Sequence, residues 1–300
     1  MLDIQTIIGV LLVVAVAYAF TNRKKAVVSL RIRKFSKAGV KFVDPTRTYI
    51  EKGVRIGRGT KIYPNVYLYS GTQVGEDCVI YPEVHLFESE IGYGCTIWPG
   101  VSIVDTTLRG GNEVHKGVRM VRSFVGKHTT IDSFSLVKDS VIGAKSKVGP
   151  MAYVRDKSIL GKKVEVANIE IVRSHIGEGT KAKHGRYIGD ATIGKNCNIG
   201  AGTVFCNYDG SQKHKAILGD DVFVGSGVML IAPITLGKKS FIAAGSVVSR
   251  DVSEETLAVA RGQKHTHMIF NDVLNSEYPE YIRDAVEKDE EGWKLKKTRR

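Results

Sequence analysis

Aliphatic residues recur at every sixth position along much of this chain. Ile56, Ile62, Leu68, Val74, Ile80 and Leu86 hold the step unbroken, and Ile91, Ile97 and Ile103 resume it after a slip of one. Leu218, Val224, Leu230, Leu236, Ile242 and Val248 hold it again near the end. A helix buries residues at a step near 3.6 and a simple strand at a step of two, so a step of six belongs to neither. It predicts short flat strands that each bury one aliphatic side chain, stacked so that every rung leans on its neighbours. Glycines that follow the aliphatic residue, as in Ile56-Gly57, Val74-Gly75, Ile91-Gly92, Ile193-Gly194 and Val224-Gly225, mark the corners. The expected fold is therefore all-β: a left-handed parallel β-helix, or hexapeptide-repeat solenoid, of triangular section. It is expected over residues 48–252, with roughly eighteen residues to a coil and about ten coils.

The ends depart from the pattern. Ile7 to Phe20 is uncharged and mostly apolar, and basic residues from Arg23 to Lys34 follow it. Extended by Leu2 to Thr6, the run approaches bilayer-spanning length. Residues 1–22 are expected to be a transmembrane anchor, and the positive-inside rule puts the β-helix on the cytoplasmic side. A cleaved signal peptide is the competing reading, with Ala17-Tyr18-Ala19 as its site, but no positive charge precedes the run. Residues 23–47 form a basic juxtamembrane segment in this view, with Val27 to Lys37 near the headgroups. Residues 253–300 lose the repeat, and a short helix from Tyr278 to about Lys288 is expected before the basic tail Lys294 to Arg300.

Charge and thiols narrow the partners. The 300 residues carry a net charge of +13, which favours anionic partners such as phosphorylated substrates, coenzymes or acidic lipid. No nucleic-acid-binding motif accompanies that charge, so nucleic acid is not an expected partner. The four cysteines lie far apart without paired spacing and read as reduced thiols rather than a zinc site. His85, His115, His128 and His175 show no paired spacing either, and no metal is expected.

Chemistry concentrates between Gly149 and Arg261. Lys183-His184-Gly185-Arg186-Tyr187 puts a histidine at a coil corner, Asn198-Ile199-Gly200-Ala201-Gly202 follows one coil later, and Cys206-Asn207-Tyr208-Asp209-Gly210 opens an insertion through Lys215. An insertion must project from a solenoid, and projecting loops on a rigid scaffold commonly carry function. Together with Gly219-Asp220-Asp221-Val222-Phe223-Val224-Gly225-Ser226, these pieces resemble the acetyltransferase domain of the bacterial bifunctional N-acetylglucosamine-1-phosphate uridyltransferase/glucosamine-1-phosphate acetyltransferase, within the hexapeptide-repeat acyltransferases. The resemblance covers residues 149–261; the coils before about Arg122 match only as generic repeats.

The resemblance implies a homotrimer that uses acetyl-CoA to acetylate an amino sugar phosphate or a nucleotide-linked amino sugar, with no metal needed. It implies that His184 is the general base, a task that suits an imidazole near pH 7. It places Arg155, Tyr187, Asn198 and Lys213 on the sugar phosphate, and Asn207, Tyr208, Ala201, Ser226, Ala244 and Arg261 on acetyl-CoA. The backbone N–H of Ala244 would face the thioester as an oxyanion donor. Three departures stand out. The uridyltransferase half is missing, Val172 occupies the place of a phosphate-contacting lysine, with Arg173 beside it, and Lys183 and Arg186 surround His184 where they could contact a different anion. A nucleotide-linked acceptor and a non-catalytic trimeric scaffold at the membrane are the rival readings.

Overall fold

The computed structural model describes residues 30–261, with the backbone alone for Arg261, 264–269, 286–289 and 292–295. Two compact units divide the chain, Met1–Lys163 and Val164–Arg300. Each is a left-handed parallel β-solenoid with three faces of short strands. In the first unit one face runs from Lys41–Phe42 to Lys147–Val148, the second from Thr48–Ile50 to Tyr153–Arg155, and the third from Arg55–Ile56 to Ile159–Leu160. In the second unit the faces start at Glu165–Val166, Glu170–Val172 and His175–Ile176.

The six-residue step is the geometry of the core. Ile62, Leu68, Ile80, Leu86, Ile97, Ile103, Val224, Leu230, Leu236, Ile242 and Val248 are fully buried. Partners one coil apart mostly stand 17 or 18 residues apart, as in Val79↔Thr96 and Lys61↔Val79. The corners satisfy their own polar groups. In the first unit the buried hydroxyls of Ser89, Thr106 and Ser123 accept from the N–H of Thr106, Ser123 and Ser140 in turn, at 3.2, 3.2 and 3.3 Å. Each hydroxyl then donates within its own coil, to Phe87, Val104 and Val121. A buried donor left unpaired would cost about 1–3 kcal/mol, so this column of small hydroxyl side chains lets the chain turn inside the core.

The ends need correction. The single-pass membrane placement is not upheld: among the described residues no helix is long and apolar enough to cross a membrane. The apolar run Ile7 to Phe20 on which that expectation rested lies outside the described residues. The stretch expected near headgroups instead includes helix at residues 30–37, with Ile32 buried and Arg31 Nη1 donating to the Ile50 carbonyl at 3.0 Å. The first rung, Lys41–Phe42, also lies inside the expected juxtamembrane segment, paired with Lys61–Ile62. At the other end Val286–Asp289 is a strand antiparallel to Gly292–Leu295, where the helix was expected to finish. The earlier part of that expected helix is outside the described residues. Here a cross-strand partner overrides local helix preference.

Candidate active site

His184 lies in the exposed turn between the strands Lys181–Ala182 and Tyr187–Gly189. Its carbonyl accepts the Gly202 N–H at 2.7 Å, the Ala201 carbonyl accepts the Gly227 N–H at 2.7 Å, and the Ser226 carbonyl accepts the Gly245 N–H at 2.8 Å. One corner therefore carries His184, Ala201, Ser226 and Ala244 on successive coils, all exposed. The column is narrow because of its glycines. A Cβ on Gly225 would stand 2.5 Å from the Ala244 backbone nitrogen. Gly225→Ala is expected to cost about 1–3 kcal/mol through this overpacking, measured by chemical denaturation. An unchanged midpoint would mean that the corner can relax.

Beside this corner, a polar network spans three coils. The Arg173 guanidinium donates to both Asp190 carboxylate oxygens, at 2.6 and 2.8 Å. The Asn207 amide donates to the same carboxylate at 2.5 Å and reaches the Tyr187 hydroxyl at 3.5 Å. Gly189 permits this arrangement, because the Tyr187 ring occupies the place its Cβ would take. The bonds from Arg173, and then the one from Asn207, hold the Asp190 carboxyl below the usual carboxylate range against the opposing effect of burial. A depressed folded-state pKa gives stability that is present above the unfolded value near 3.9 and lost as pH falls through the folded one. Asp190→Asn should thus melt below wild type at pH 7, with the gap narrowing below about pH 4. A gap that stays constant on acidification would show that the charge plays no part.

The insertion has its own frame. Asp209 Oδ1 accepts from the N–H of Ser211 and Gln212, both at 2.7 Å, and its other oxygen meets His214 Nε2 at 2.5 Å. The backbone amides, with His214, keep the Asp209 carboxyl well below the usual range. Tyr208 is exposed and its hydroxyl donates to the Gly210 carbonyl at 2.6 Å, while Tyr208 and Lys213 form an antiparallel bridge. Lys213 is exposed and its charge is felt at Asp190. Asn207 is buried, so its amide serves the network rather than an open surface.

The remaining expected residues are dispersed. Asn198 is half-buried on the strand Asn198–Ile199 and pairs with Lys181 and Phe223. Arg155 belongs to the first unit, where its guanidinium meets Asp156 and lies 5.3 Å from the centroid of the Tyr153 ring. Arg261 ends the strand Thr256–Arg261. Val172 is fully buried, and Arg173 is held by Asp190. Cys206, next to the insertion, is half-buried, and burial pushes its thiol up, away from the thiolate form a nucleophile needs. The sequence reading gave no role to Asp190. The signal was present: Arg173, Asp190 and Asn207 follow one another at 17 residues, one coil step.

The coil geometry and this corner are those of the hexapeptide-repeat proteins, the class this chain is similar to. Family models agree: "Bacterial transferase hexapeptide (six repeats)" matches residues 53–87, "GMPPB C-terminal domain" 87–176, and "Hexapeptide repeat of succinyl-transferase" 191–206 and 215–250. Within the class, part of the chain is similar to bifunctional protein GlmU. The Geotalea uraniireducens protein is 38% identical over 86% of this chain and 44% of its own length. The Geobacter sulfurreducens protein is 46% identical over 74% and 44% respectively. The Aquifex aeolicus protein reaches 50% identity over 43% of this chain and 28% of its own length. The chain spans less than half the length of these relatives.

Proposed function

We propose that this chain is an acetyl-CoA-dependent N-acetyltransferase acting on an amino sugar phosphate, with His184 as general base. The observation that carries the reading is the exposed imidazole at the head of a corner otherwise lined by Ala201, Ser226 and Ala244. Small residues leave room along that corner for an extended cofactor, and the relation to GlmU supplies its chemical class. The acceptor amine attacks the thioester carbonyl, His184 takes the amine proton, the C–S bond breaks, and the coenzyme leaves as a thiolate that is then protonated. Burial disfavours the Cys206 thiolate, which favours this direct route over an acyl-cysteine intermediate. Following the resemblance, Tyr187, Asn198 and Lys213 are assigned to the sugar phosphate, and Asn207, Tyr208 and Arg261 to the coenzyme. Asn207 acts through its hold on Tyr187 and Asp190. Following the resemblance, the working form is a homotrimer.

A second reading differs only in the acceptor. The burial of Val172 and the pairing of Arg173 with Asp190 favour an amino sugar whose anionic group lies elsewhere, such as a nucleotide-linked one. The test is thiol release from acetyl-CoA by the full chain, with glucosamine-1-phosphate and then a nucleotide-linked amino sugar as acceptor. Release that depends on an amino sugar supports the reading, and the faster acceptor selects between the two. Release with neither acceptor would refute both.

A further inference from the structure

Lys183 and Arg186 flank His184, and the structure treats the two differently. Lys183 is paired with Glu165, and Arg173 is held through Nε and Nη2 by Asp190. Arg186 is exposed, and among the described residues its guanidinium has no acidic or hydrogen-bonding partner. Its position makes this unusual. The backbone N–H of Arg186 donates to the Thr203 carbonyl, and the registers Glu170↔Tyr187, Tyr187↔Val204, Val204↔Met229 and Met229↔Val247 place Ile169, Arg186, Thr203, Val228 and Ser246 in one column. Every member of that column except Arg186 is buried.

At this coil the Ile169 side chain lies against Gly185, where a Cβ would clash with it, and Arg186 is turned outward. Among the described residues the Arg186 side chain thus contributes no hydrogen bond or ion pair to the solenoid. A partnerless guanidinium two residues from the candidate base is a fork open to phosphate oxygens.

We propose that Arg186 binds a phosphate ester of the bound substrates and sets the preference of the site for a phosphorylated ligand. This rests on the acetyltransferase reading. The phosphate belongs either to the amino sugar or to the coenzyme, and both offer the same chemistry to the fork.

The experiment measures steady-state kinetics of the full chain, its Arg186→Ala variant and its Arg186→Lys variant. The acceptors are glucosamine-1-phosphate and glucosamine, and the donors acetyl-CoA and its 3′-dephospho form. If the sugar phosphate is the ligand, Arg186→Ala raises KM for glucosamine-1-phosphate about 10- to 100-fold and erases the preference over glucosamine. KM for acetyl-CoA and kcat then change little, and Arg186→Lys restores part of the loss. If the coenzyme phosphate is the ligand, the rise falls on KM for acetyl-CoA and the discrimination against the dephospho donor disappears. Transfer by the wild type with both KM values unchanged in Arg186→Ala overturns the proposal and leaves the transferase reading standing. Absence of transfer by the wild type would instead remove the transferase reading. Inorganic phosphate titrated onto wild type and Arg186→Ala, followed by arginine side-chain NMR, then decides: equal affinity for the two proteins overturns the anion site.

Discussion

His184→Ala should lower kcat for acetyl transfer by about 10²–10⁴-fold, with the melting temperature and KM for acetyl-CoA nearly unchanged. The separation of these effects follows from the backbone. The coil-to-coil bond at this corner is made by the His184 carbonyl to Gly202, and alanine keeps that carbonyl. The imidazole itself is exposed, so its loss opens no cavity. A base removed from an otherwise intact site affects the step in which the amine loses its proton, and that loss appears in kcat. A variant within about threefold of wild type would place the base elsewhere.

Phe205→Ala should be the most destabilising single truncation in the second unit, at about 3–5 kcal/mol. Phe205 is fully buried, in the middle of the strand Val204–Cys206, and lies opposite Leu230 on the next coil. A solenoid rung has only its two neighbours to close the void, so the cavity term is added to the lost transfer energy. Phe134→Ala is the control. That ring is 61% exposed, and its loss should stay near 0.5 kcal/mol or less. Urea denaturation compares the two, and similar losses would show that rung burial does not control stability. Because Phe205 immediately precedes Cys206 and Asn207, partial loosening of this rung should also reach the insertion.

Much of this fold was legible because one aliphatic side chain per hexapeptide is a strong and repetitive demand. Ile62, Leu68 and Ile80 are buried where the step of six put them. The ends were not legible, because they carry no repeat. Alternating basic and apolar residues before Lys37 suggested a segment at a membrane surface, yet residues 30–37 are helix with Ile32 buried. In Val286–Asp289 an antiparallel partner decided a conformation that local preference could not.

At the site, the resemblance drew attention to His184, Ala201, Ser226 and Ala244, and the structure lines them along one corner. The Arg173–Asp190–Asn207 column escaped the reading because its members are distant in sequence and join only once the coil length is known. Arg186 was noticed as a basic neighbour. Its departure from a buried column became visible only through the register.

The most direct test of the account is to incubate the full chain with acetyl-CoA labelled in the acetyl group and with glucosamine-1-phosphate, and to identify the product by NMR. The account predicts that the label appears in an amide on the sugar nitrogen with wild type, and at no more than a hundredth of that rate with His184→Ala. Label that stays on the coenzyme, or that reaches an ester oxygen or the protein, would contradict it.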